Sequence, residues 1–214
     1  IVDYIASKNK PVLLATGASD MNEVDVAMSI LLQRTNDIVL MQCNTNYTAS
    51  LGNFKYINLN VLKEYSRKYP DCVLGLSDHT PGHATVLGAV AVGARVIEKH
   101  FTNNTNREGP DHKFSMDFNS WRNMVNRTRE LENALGSSTK RVEFNEKETV
   151  ILQRRSIRTK KDLVIGDQIH ENDIEFLRPC PEDALPPYEL EKILNRELAE
   201  DIKSGDYLKW TSIK

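Results

Sequence analysis

The sequence predicts an α/β fold built from strand–helix repeats around a parallel sheet, followed by a small, mostly β domain. Three observations carry this. From Pro11 to about Ser137, short aliphatic runs alternate with segments of helical periodicity, the pattern of consecutive βαβ units. Residues 137–153 break that period and are dense in charge. Beyond them the pattern shortens to brief apolar stretches separated by turn residues, with Gly166-Asp167 as the clearest turn and Pro179 as a stop. The expected organisation is a β/α domain over 1–136, a linker over 137–153 and a second domain over 154–214.

Taken in order, the predicted strands are 11–16 (PVLLAT), 37–43 (DIVLMQC), 72–77 (CVLGLS) and 95–101 (RVIEKHF). The helix after the first strand opens on Asp20 with Glu23 three residues later, a capping box, and carries Val24, Ala27, Met28, Leu31 and Leu32 at helical spacing. Leu59, Val61, Leu62 and Tyr65 mark the second helix. The third, within HATVLGAVAVGA, is rich in small residues, as expected where a helix lies close on a sheet, with Gly93 as its terminator. A polar loop, 102–116, precedes the fourth, which runs through Trp121, Met124, Val125, Leu131 and Leu135 to Gly136. In the second domain a short helix is expected near 188–196 and a last strand in DYLKWTSI.

Composition narrows the functional classes. With 28 Lys and Arg against 30 Asp and Glu, the formal charge is −2, which provides no electrostatic footprint for nucleic acid or an anionic membrane. The local clusters Arg154-Arg155 and Lys160-Lys161 read as solvated surface. Three cysteines, Cys43, Cys72 and Cys180, with no C-x-x-C spacing, encode neither a disulfide framework nor a zinc site and fit a reducing cytoplasm. No apolar run approaches the roughly 18 residues of a membrane span, and no secretory leader opens the chain. The start at Ile1, within a helical pattern and with only four strands before the linker, leads us to expect the C-terminal part of a longer protein.

Two predicted strands end in polar knots, Ser77-Asp78-His79 and Glu98-Lys99-His100. Ligands of parallel α/β folds sit at the carboxyl ends of strands, where loops and helix N-termini converge. Side chains alternate along a strand, so Ser77 and His79 share one face, as do Glu98 and His100 on the next. Two neutral imidazoles meeting there, with hydroxyl and carboxylate partners, suit a divalent transition metal with open positions, manganese and zinc both being chemically acceptable. The plainer alternative is a pair of hydrogen-bonded strand-end histidines without a ligand. In the loop NREGPDHKFSMD, Asp111 is placed either to bind sugar hydroxyls beside a metal or to cap a Gly-Pro turn, the simpler reading from spacing alone. The segment CNTNYTAS offers Asn44, Thr45, Asn46 and Tyr47 either as ligand-binding groups or as an Asx-type turn.

The motifs GLSDHT, AVAVGARVIEKHFT and GPDHKFSMD, in this order and spacing, resemble the sialic acid synthase family, and KKDLVIGDQIHENDIEFLRP resembles its antifreeze-like (SAF, β-clip) domain. The resemblance covers nearly the whole chain from Pro11. It implies the C-terminal half of a TIM (β/α)8 barrel followed by the SAF domain, in a cytoplasmic, domain-swapped homodimer. The implied reaction condenses phosphoenolpyruvate with an N-acetylated aldose, N-acetylmannosamine or a relative, and releases phosphate. It needs a divalent metal, most simply manganese, with magnesium or cobalt as alternatives. By motif alignment His79 and His100 fall on the metal ligands, Glu98 and Asp111 on catalytic positions lining the metal and aldose site, and Tyr47, Thr45, Ser77 and Asp111 on substrate-binding positions. Arg178 matches the arginine that the SAF domain extends into a neighbouring subunit.

The family's catalytic glutamate and phosphate-binding lysines have no counterpart in these four units, so the resemblance implies that 214 residues alone do not catalyse. Ala15 stands where many members have a serine, Thr45 where some have an asparagine, and the glycines common after the Arg-Pro pair are missing. The competing readings are a non-catalytic carbohydrate-binding or interaction fragment and, more weakly, a general metal-dependent aldolase.

Overall fold

The computed structural model describes residues 1–214 and divides into two compact units, Ile1–Ser137 and Ser138–Lys214. In the first, helix α1 (Val2–Ala6) precedes strand β1 (Val12–Ala15), helix α2 (Met21–Leu32), strand β2 (Ile38–Cys43), helix α3 (Val61–Lys68), strand β3 (Val73–Asp78), helix α4 (Ala84–Ala91), strand β4 (Val96–Lys99) and helix α5 (Phe118–Leu135). All four strands are parallel and lie in chain order, the sequential winding of a β/α half-barrel.

The alternation of each strand separates two faces. Val12, Ile38, Leu40, Leu74 and Leu76 point to the helices, where they meet Val24, Met28 and Leu31 of α2 and Leu62 and Tyr65 of α3 in one buried core. Burial of this kind stabilises by roughly 25 cal/mol per Å² of apolar surface removed from water. The opposite, concave face carries Leu13, Val73, Gly75, Ser77 and Glu98, and its Leu13 and Val73 are exposed. At Gly75 an added Cβ would lie 2.7 Å from Met41 and 3.0 Å from the Val96 carbonyl, so the absence of a side chain lets β2 and β4 close on β3.

Helix ends follow the local signals. The Asp20 carboxylate accepts from the Glu23 N–H at 3.0 Å while the Glu23 carboxylate accepts from the Asp20 N–H at 2.9 Å, a complete capping box. Asp117 and Ser120 form a second one ahead of α5. Gly93 and Gly136, both at positive φ, terminate α4 and α5.

Residues 137–153, read from sequence as a linker, belong from Ser138 onward to the second unit and carry a 3₁₀ turn (Phe144–Glu146) and helix α6 (Lys147–Gln153). Strands β5 (Ser156–Thr159) and β6 (Ile174–Leu177) pair antiparallel, and helix α7 (Leu190–Ile193) is a single turn. Ile157, Ile169, Ile193, Leu198 and Leu208 form its core. The last strand expected in DYLKWTSI does not form. Tyr207 and Ile213 make single bridges to Arg158 and Leu198, with a 3₁₀ turn at Trp210–Ser212 between them. Its extended pattern reflects burial of Leu208 and Ile213, which separate bridges achieve without a continuous ladder. No helix is long and apolar enough to cross a membrane.

Candidate functional site

The β3–β4 ladder ends at the Asp78–Lys99 rung, so regular strand stops one residue short of both histidines, earlier for β4 than the predicted 95–101. Alternation nevertheless persists, and the two rings meet above the concave face with centroids 5.1 Å apart and planes 64° apart. Tyr47 lies 4.4 Å from the His79 ring, and Phe114 lies 5.1 Å from the His100 ring. Phe114, buried at 3 % exposure, walls the pair on one side with hydrocarbon.

Hydrogen bonding orients the imidazoles. The His79 Nδ1 sits 2.8 Å from the Asn44 carbonyl oxygen. A carbonyl only accepts, so the proton is on Nδ1 and the Nε2 lone pair is left for another partner, the arrangement typical of a metal-ligating histidine. The His100 Nδ1 faces the Asp111 carboxylate at 3.6 Å, beyond direct hydrogen-bond length but close enough for electrostatic orientation.

The spacing of the two rings is compatible with a shared divalent ion. With a metal–nitrogen bond of about 2.1 Å, an ion sits roughly 3.3 Å from each ring centroid, so two imidazoles at 90–110° have centroids about 4.7–5.4 Å apart. The observed 5.1 Å falls inside that interval. No group of three or more His, Cys, Asp or Glu gathers for a metal, so any ion held here would have only the two imidazoles as nitrogen donors and would keep open positions.

The remaining predicted residues distribute around the pair. Ser77 is buried beside Cys43, its register partner, and Glu98 stands across from Ser77 on β4, exposed on the concave face. Burial pushes the Cys43 thiol up, and the Ser77 hydroxyl and Gly17 N–H bonded to its sulfur oppose that shift. Thr45 and Tyr47 are exposed in the loop after β2, and the Asn44 side chain accepts from the Asn46 N–H at 3.2 Å, the Asx turn expected there. The Asp111 backbone carbonyl accepts from the Ser115 hydroxyl at 2.7 Å, while its half-exposed carboxylate faces His100.

A cleft of about 710 Å³ opens at the ends of β1 and β2, lined by Thr16, Gln42, Asn44, Thr45 and Tyr65 among others. It shares Asn44 with the histidine site but includes neither imidazole. Beside it, a Cβ at Gly17 would fall 2.2 Å from Thr45 Cγ2 and 2.9 Å from Cys43 Sγ. Gly17→Ala is therefore expected to lower unfolding free energy by about 1–3 kcal/mol in urea titrations. Adding Thr45→Ser, which removes the clashing methyl, should recover most of that loss, and no recovery would show that the clash is not its origin.

In the second unit Arg178 is exposed. The bond to Pro179 is cis, and the Pro179 carbonyl accepts from Ser156 Oγ at 2.9 Å and Arg158 Nη2 at 3.1 Å. These anchors hold the backbone that presents the Arg178 side chain.

Sequence reasoning passed over the central residues of the two knots. Asp78 and Lys99 point away from the site, into the sheet–helix layer, and form an ion pair of 2.6 Å with side chains 0 % and 1 % exposed. The same alternation that placed the histidines together sends these two to the other face, and their opposite charges on neighbouring strands were the available signal. Phe114 was missed because no local pattern ties residue 114 to residues 79 and 100.

The fold and site define a β/α half-barrel with a paired-imidazole centre at its strand ends, followed by a small β domain. The chain belongs to the NeuB family, whose model matches residues 1–140, and a SAF domain model matches residues 154–214. It is similar to N,N'-diacetyllegionaminic acid synthase of Legionella pneumophila, 35 % identical over 218 residues, covering 100 % of this chain and 60 % of that protein. It is also similar to pseudaminic acid synthase of Campylobacter jejuni, 34 % identical over 212 residues, covering 97 % of this chain and 59 % of the relative. Among solved structures, N-acetylneuraminic acid synthetase of Leptospira borgpetersenii in complex with citrate superposes with a TM-score of 0.62 at 27 % identity, over 70 % of this chain and 51 % of that one. The chain thus spans about three-fifths of the length of the curated relatives it matches.

Proposed function

We propose that this chain is the metal-holding portion of a nonulosonic acid synthase, which joins phosphoenolpyruvate to an N-acetylated aldose and releases phosphate. The observation that carries the reading is the His79–His100 pair, 5.1 Å apart with the His79 tautomer set by Asn44. The relatives' names, legionaminic and pseudaminic acid synthases, agree on the reaction class and differ in the sugar.

In this reading His79 and His100 are the residues that would hold a divalent ion. A bound divalent ion, most simply manganese with magnesium or cobalt as alternatives, supplies Lewis acidity toward an aldehyde oxygen. Ser77 and Thr45 donate hydrogen bonds to the donor's anionic groups. Tyr47 offers a ring face and hydroxyl to the aldose, Asp111 accepts from its hydroxyls while orienting His100, and Glu98 is positioned as the proton-transferring carboxylate. Phe114 excludes water behind the imidazoles. The enol carbon bonds to the aldehyde carbon, one water is consumed, and inorganic phosphate departs, so no covalent nucleophile is required. A second copy of the chain completes the site through Arg178, in a domain-swapped dimer in the cytoplasm.

Expressed from its complete reading frame and supplied with manganese, the protein should release one phosphate per phosphoenolpyruvate consumed when offered an N-acetylated aldose. A chelator should stop the reaction. Manganese binding without phosphate release from any aldose tested would favour the non-catalytic carbohydrate-binding fragment. In the same assay Arg178→Ala should raise KM for the aldose about tenfold or more, as expected for loss of a charged hydrogen bond. Circular dichroism of that variant should match the parent, and loss of the second unit's fold would make Arg178 structural instead.

A further inference from the structure

The imidazole pair lies just beyond the backbone ladder that would ordinarily set its spacing. The last β3–β4 rung pairs Asp78 with Lys99, and each histidine is the next residue in its chain. Strand ends fray, yet a site for one ion needs two nitrogens held within a fraction of an ångström.

What crosses between the strand ends is on the other face. Lys99 Nζ donates to Asp78 Oδ2 at 2.6 Å and to the Thr80 carbonyl at 2.7 Å. Those acceptors flank His79 in sequence, so one ammonium on β4 grips the chain on both sides of that histidine. Asp78 is otherwise satisfied: its Oδ1 accepts from the Thr80 N–H at 3.1 Å and the Thr80 hydroxyl at 2.9 Å, and its Oδ2 from the Thr85 hydroxyl at 2.5 Å. Thr85 lies in the first turn of α4, so strand β3, strand β4 and helix α4 are joined at a point directly behind the rings. Together with the Asn44 carbonyl on the His79 ring, the backbone and the imidazole of this residue are both restrained.

Stability alone does not account for this choice of residues. An apolar pair of similar volume commonly equals or exceeds a buried ion pair in stability, because removing both charges from water is costly. What an ammonium adds is direction, since it can pull a backbone carbonyl and a carboxylate toward one point. We propose that Asp78 and Lys99 are positioning residues, a clamp that sets the separation and orientation of His79 and His100. Its consequence for metal affinity rests on the reading of the pair as ligands, whereas its consequence for ring geometry does not.

The test compares the chain with its Asp78→Leu/Lys99→Met variant, which leaves no buried charge unpaired. Two readouts are taken: the nuclear Overhauser effect between the His79 and His100 rings, and the Kd for cobalt(II). The variant is expected to unfold cooperatively like the parent while its inter-ring effect weakens and its Kd rises at least about tenfold, the usual range for outer groups that orient metal ligands. A folded variant with the parent's inter-ring effect and a Kd within about twofold would overturn the clamp. If the parent itself binds no cobalt, the metal reading fails and the ring effect alone decides the clamp. Should the double variant not fold, Thr85→Val removes one bond to Asp78 and keeps both charges. It is expected to shift Kd about threefold or more, or in the absence of cobalt binding to weaken the ring effect, and no change in either would overturn the proposal.

Discussion

Alanine at His79 or at His100 raises the Kd for manganese(II) at least about a hundredfold, close to 2.7 kcal/mol of binding free energy. The expectation follows from the donor count. The chain brings two imidazoles together, with Asp111 beside His100 but no group of three or more gathered for a metal, so each substitution removes half of the nitrogen donors of the proposed site. Calorimetric titration of the purified chain measures it. His112→Ala is the internal control, because His112 Nδ1 is engaged with the Thr102 hydroxyl at 2.7 Å, outside the pair, and its loss should leave Kd within about threefold. Equal affinities for the parent and the His79→Ala/His100→Ala variant would place the ion elsewhere and remove the basis of the proposed function.

Lys99→Met lowers unfolding free energy by about 3–5 kcal/mol, because it leaves the Asp78 carboxylate in a fully buried position without its counter-charge. That is a large share of the roughly 5–15 kcal/mol that holds an ordinary domain together. Exposed pairs set the contrast: Arg34–Asp3 and Lys203–Asp162 also close within direct contact, at 3.0 and 2.8 Å, yet are more than half exposed. Removing either should change stability by less than about 1 kcal/mol. Urea denaturation of the three lysine and arginine variants ranks them directly. A loss below about 1 kcal/mol for Lys99→Met would mean that water reaches Asp78 in solution.

The half-barrel was legible because its signals are local. Capping at Asp20–Glu23, termination at Gly93 and Gly136, and the alternation that separates Leu74 and Leu76 from Gly75 and Ser77 each need only a few neighbouring residues. Motif order did the rest: the family and the SAF domain were expected from sequence, and both family models match. The second unit was less legible, since its last segment is held by single bridges between residues far apart in the chain, as in Arg158–Tyr207 and Leu198–Ile213. A bridge of one pair has no period to detect.

By itself the sequence determined which residue types stand at the strand ends and on which face each falls, because the two-residue alternation of a strand is a property of the backbone. Only the tertiary structure decided which of them meet. The His79 ring found a carbonyl 35 residues earlier, Phe114 closed over both imidazoles from a loop, and Lys99 crossed to Asp78 behind them. Each contact joins groups distant in sequence, and its geometry is set by strand register and by burial, which exist only once the sheet and its helices have assembled.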